Sequence, residues 1–136
     1  MAPLAIAIPL LAACLLLAFG TKLPRLATDL VAIAAAAGCL VNAILLWHRV
    51  SGQREVYWAG GWRPDGGHGV GIVLVVDPVG AGLAALIALL TGCALLFSWR
   101  YFETAEAHLP VLVLLFLTGM TGFVLVGDLF TMFVFF

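Results

Sequence analysis

Four long apolar stretches decide what this chain can fold into. Residues 2–19, 30–47, 78–99 and 109–127 each run 18 residues or more without an Asp, Glu, Lys or Arg. A helix rises 1.5 Å per residue, so roughly 17–25 such residues cross the ~30 Å hydrocarbon core of a bilayer. Hydrophobic residues make up 65% of the chain and charged residues 10%, against about 45–50% and 25% in soluble domains. With a mean hydropathy of +1.21, the chain reads as an all-α membrane protein. Its expected form is four transmembrane helices plus a truncated fifth, with an external β-hairpin. The lipid bilayer is the partner this composition demands. A net charge of −1 offers no basic surface for nucleic acid.

The stretches divide the chain into four segments. Residues 1–49 hold two N-terminal transmembrane helices, and 50–76 form an extramembrane loop. Residues 77–127 hold the third and fourth helices, and 128–136 begin a truncated fifth. Pro3 fits the first turn of the first span, and Pro9 is placed to kink it. No Lys or Arg precedes Lys22, so the basic start of a cleaved signal peptide is missing, and the first helix is expected to be retained. Gly20 and Pro24 mark a turn, glycine closing one helix and proline barring its continuation. The second span opens near Asp29 and is rich in alanine, a composition that lets helices approach closely in lipid. Asn42 is its one strongly polar residue and is expected to make an interhelical hydrogen bond.

Residues 55–62 and 70–76 are rich in β-branched and aromatic side chains, and the Arg63-Pro-Asp-Gly-Gly-His-Gly69 run between them is dense in turn formers. That pattern predicts a hairpin. Its open edges require it to lie outside the hydrocarbon or against protein. His68 reads as a solvated loop residue. Asp77-Pro78 is a strong helix start, the aspartate capping free N–H groups and the proline fitting the first helical position. Asp128 is similarly placed before the last helix.

Ionisable side chains within spans usually mark ion pathways. Here all thirteen charged residues fall at expected helix ends or in loops. Glu103 and Glu106 form a loop pair with no metal partner or nucleophile near them. The histidine pairs of a membrane haem are missing, and Cys14, Cys39 and Cys93 share no short spacing. No catalytic, metal or cofactor site is read from this chain. Asp128 and Asp77 remain as the candidates, for helix capping or for the entrance of a proton path.

Gly119-Met-Thr-Gly-Phe-Val-Leu-Val-Gly-Asp-Leu-Phe-Thr-Met-Phe-Val-Phe-Phe136 resembles the approach to the fifth helix in the MrpD-type component of Mrp-type cation/proton antiporters. It is similar, too, to the antiporter-like proton-translocating subunits of respiratory complex I and membrane-bound hydrogenases. Gly60-Gly61-Trp62, Gly71-Ile-Val-Leu-Val-Val-Asp77 and Tyr101-Phe102 fit the same family. The resemblance implies a parent of about fourteen helices, with two inverted five-helix repeats beginning at the fourth. It implies that the hairpin and N-terminus face outward. It also implies a working glutamate directly after Phe136, and lysines further along. On that reading the chain is an N-terminal fragment, inactive alone, of a multi-pass cell-membrane subunit. Its expected partners are other subunits of an antiporter or of an NADH-quinone oxidoreductase. The competing expectation is a small complete membrane scaffold or assembly subunit without transport activity.

Overall fold

The computed structural model describes residues 1–20, 22–50, 53–61, 71–99 and 108–136. The hairpin tip with His68, and the loop with Tyr101, Phe102, Glu103 and Glu106, lie outside the described residues.

Among the described residues, five α-helices and one small sheet form. Helix α1 covers Ala2–Phe19 and α2 Arg25–Arg49. Strands β1 (Glu55–Trp58) and β2 (Val73–Val76) pair antiparallel, with Tyr57 opposite Leu74. Helix α3 covers Pro78–Ser98, α4 His108–Leu125 and α5 Leu129–Phe135. The first four helices are long and apolar enough to cross a membrane, as the sequence predicts. At seven residues, α5 reaches only about 10 Å.

The four spans close into a bundle. Helix α2 packs on α3, α3 on α4, α4 on α1 and α1 on α2, with a lighter diagonal contact between α2 and α4. Its middle is built from small and branched residues: Ala13, Leu16, Ala32, Ala36, Leu114 and Leu117 are all buried. Alanines at helix crossings bring backbones close and multiply dispersion contacts, which drive helix association where lipid removes the hydrophobic gain. Asn42 donates from Nδ2 to Met1 O at 3.3 Å, the interhelical bond expected of it. All three cysteines are free.

The sheet caps one end of this bundle. Leu74 and Val76 point inward to meet Ala2 and Ala5 of α1, Leu46 of α2, Ala81 of α3 and Leu125 of α4. Strand alternation puts residues 74 and 76 on one face, and both are buried while Val73 and Val75 are only partly so. The hairpin thus lies against protein, as its open edges require.

Several boundaries differ from the sequence reading. Helix α2 starts at Arg25, five residues before the apolar run at 30, with Asp29 one turn inside it. Apolar length marks the membrane, whereas the helix continues while its backbone bonds close: Ala27 and Thr28 N–H both donate to Pro24 O. Gly20 stays right-handed at φ −58°, and the turn is made instead by Lys22 and Leu23 N–H on Phe19 O. Helix α1 runs through Pro9 as one element. The strands are shorter than predicted, because residues 59–61 form a 3-10 turn with Gly60 and Gly61 at φ 75°, a region readily open only to glycine. Finally, α4 stops at Leu125 rather than Gly127, for a reason that belongs to the site below.

Candidate functional site at the two helix starts

Strand β2 connects the two candidate aspartates. Ala59 N–H donates to Ile72 O at 2.9 Å. Bonded and non-bonded pairs alternate in an antiparallel ladder, so Tyr57–Leu74 and Glu55–Val76 are the bonded pairs in this register. Val73, lying between them, turns its N–H and C=O to the opposite edge. There the α4–α5 junction takes up both. Val73 O accepts from Gly127 N–H at 2.8 Å, and Val73 N–H donates to Asp128 Oδ2 at 3.3 Å. Leu74 and Val126 add an isolated antiparallel bridge. Residues 126–128 therefore act as a third strand, which is why α4 ends early. Gly127 must be small, since a Cβ there would lie 2.5 Å from Val75 Cγ2 and 3.1 Å from Val73 Cγ1.

Asp128 uses its other oxygen on the helix that follows. Oδ1 accepts from Thr131 N–H at 2.6 Å, capping the first turn of α5. The Thr131 backbone N–H, helped by those of Val73 and Phe130, holds this carboxyl below the ordinary aspartate value against a smaller opposing effect of desolvation. Donors aimed at the charged form favour it.

Asp77 follows β2 at its other end. Its Oδ1 accepts from Gly80 N–H at 2.6 Å, and Pro78 occupies the first helical position. Gly80 is buried, and a Cβ there would lie 2.8 Å from Asp77 Oδ1 and 3.4 Å from Val124 O. The first turn of α3 thus packs on the last turn of α4. Both aspartates stand at the hairpin end of the bundle, but the extended strand between them spans roughly 13 Å. At that separation they share neither a proton nor a metal ion. Among the described residues no three His, Cys, Asp or Glu side chains form a group able to hold a metal.

Reasoning from sequence identified both aspartates as helix starts. It missed the second bond of Asp128, to Val73, 55 residues earlier in the chain. The available signal was the β-branched Val124-Leu-Val126 run before Gly127. Inside an apolar stretch, that run reads as more helix.

Four packed spans, a sheet across one end and a capped short helix folding back on α4 define a multi-pass membrane architecture. The comparisons with known proteins agree. No family model matches the sequence. Over 114 residues it is 32% identical to NADH-quinone oxidoreductase subunit N of Desulforudis audaxviator (strain MP104C), covering 81% of this chain and 21% of that one. Over 81 residues it is 38% identical to a probable K(+)/H(+) antiporter component of the D type from Rhizobium meliloti (strain 1021), covering 60% and 14%. In fold it matches a chain of the Mrp complex from Dietzia sp. DQ12-45-1b at TM-score 0.82 and 31% identity, over 98% of this chain and 24% of that one. A chain of the archaeal membrane-bound sulfane sulfur reductase matches at TM-score 0.87 and 26% identity, over 98% and 27%. The resemblance to Mrp-type and complex I-type antiporter-like subunits therefore holds in both sequence and fold. The chain spans only 21% and 14% of the two sequence relatives.

Proposed function

We propose that this chain supplies the peripheral helices and the start of the first transport repeat of a proton-translocating antiporter-like subunit. One observation carries the reading: 98% of the chain overlays on a chain of an Mrp complex at 31% identity. The relatives are subunits of multisubunit membrane complexes, and we assign this chain the same setting. It sits in the cell membrane, with lipid on its apolar faces, other subunits beside it and no nucleic acid partner.

In this proposal the 136 residues move no protons alone. Among the described residues, the charged side chains lie in turns and loops, at helix ends, one turn inside α2 (Asp29) or at the start of β1 (Glu55). Asp77 and Asp128 stand where a path would open, and we assign them to helix capping ahead of proton entry. A carboxyl held below its usual range by backbone donors is a poor carrier near neutral pH, and Asp128 is such a group.

The test is a chimera. Residues 1–136 replace the matching segment of the Rhizobium meliloti antiporter protein, and potassium-driven proton exchange is followed in everted vesicles with a pH dye. Retained exchange supports the proposal. An assembled chimera that exchanges nothing refutes it and favours the scaffold reading. The 136-residue chain alone, in liposomes, is expected to show no flux above empty vesicles.

A further inference from the structure

Asp128 joins two elements that are otherwise separate. One carboxylate oxygen holds the outer edge of the hairpin through Val73 N–H, and the other holds the first turn of α5 through Thr131 N–H. Gly127 N–H on Val73 O fixes the same junction from the backbone side, with no room for a Cβ between linker and strand. Helix α5 has a second anchor. It packs on α4, and Leu129, Phe130, Phe133 and Phe136 are 74%, 79%, 77% and 96% exposed. The first turn of α5 therefore follows whatever holds Asp128.

We propose that the hairpin and α5 form one mechanical unit clasped by Asp128, so that a displacement of the hairpin is passed to the fifth helix. The clasp gives the sheet a role beyond plugging the bundle end: it sets where α5 stands. Val73 N–H would otherwise be an open strand edge at the membrane boundary, where unpaired backbone groups are costly. The same bond that covers the edge therefore ties the two elements. This inference goes beyond the transport reading, and its readout is structural. Its failure would leave that reading standing.

Amide hydrogen exchange of the full 136-residue chain in lipid nanodiscs tests it, through a two-way mutant comparison. Asp128→Asn keeps one carbonyl oxygen, and asparagine caps helices as well as aspartate does. The α5 cap thus survives while Val73 N–H loses its carboxylate acceptor. Tyr57→Pro perturbs β1 on the far side of the hairpin, removing the N–H that pairs with Leu74. With Asp128 present, Tyr57→Pro is expected to raise exchange across 129–136 about tenfold. In the Asp128→Asn background the added effect should fall to about twofold or less. Equal effects in the two backgrounds, or no effect on 129–136 with Asp128 present, would overturn the proposal. If Tyr57→Pro loses the bundle, seen as lost protection at Leu114 and Leu117, Ala59→Pro replaces it. That change removes the N–H donated to Ile72 O at the end of the ladder and leaves the Tyr57 N–H in place, and the same outcomes apply.

Discussion

Gly122 offers the sharpest test of how α5 is seated. A Cβ at this position would fall on the ring of Phe135, 2.7 Å from Cγ and closer still to Cδ1 and Cε1. Carbon pairs are most favourable at about 3.5–4.0 Å, so Gly122→Ala forces the ring back by roughly 1 Å. Overpacking of this kind costs about 1–3 kcal/mol. The change acts in opposite directions on two elements. Within α4, replacing glycine by alanine in a helix interior gains up to about 1 kcal/mol, whereas the clash falls on the docking of α5. Exchange within α4 is therefore expected to slow or stay level, while exchange across 129–136 rises by about tenfold or more, 1.4 kcal/mol being one factor of ten. Two neighbouring substitutions serve as controls. Gly119→Ala would place its Cβ 3.5 Å from Phe135 O, an ordinary contact, and Gly82→Ala meets nothing within 4 Å. Both should leave α5 unchanged. Should Gly122→Ala match Gly82→Ala across 129–136, the reasoning that Phe135 seats on Gly122 is refuted.

Leu74 is 4% exposed and meets residues of the bundle end, so Leu74→Ala should cost about 2–5 kcal/mol, read as a lower denaturation midpoint in detergent with the hairpin releasing first. Asp77→Ala removes the cap on Gly80 N–H and should cost about 1 kcal/mol, whereas Asp77→Ser or Asp77→Asn restores most of it; thermal unfolding of the three variants checks the order. The carboxyl of Asp128 lies below its ordinary value, so its stabilising contribution is complete above the unfolded value of about 4 and is lost as pH falls through the depressed folded value. Exchange across 129–136 should accordingly stay flat from neutral pH down to about the unfolded value and then rise progressively on further acidification, after correction for intrinsic rates. The rise should be absent in Asp128→Asn, and a rise already complete near pH 6 would contradict the assignment.

Much of this fold was legible in the sequence because its strongest signals are local. An uncharged run of 18 residues must hydrogen-bond within itself to enter lipid, so four helices follow without tertiary information. Asp77-Pro78 and Asp128 announce helix starts for the same reason: a side-chain oxygen reaching an N–H three residues on is a short-range event. Boundaries were less legible. Residues 25–29 are helical yet carry Arg25, Thr28 and Asp29, so apolar length alone could not include them. Residues 126 and 127 are apolar yet leave the helix, because a strand about 50 residues earlier offers them partners.

The sequence by itself therefore determined the class of the protein, the number of its spans, the existence of the hairpin and the two capping aspartates. The tertiary structure alone decided what those parts do to one another. It set Leu74 and Val76 into the bundle end, laid Phe135 on Gly122, and gave Asp128 a second bond to Val73. Composition and periodicity report how a segment meets lipid or water. The free edge of a strand and the second oxygen of a carboxylate find their partners only when distant segments are brought together.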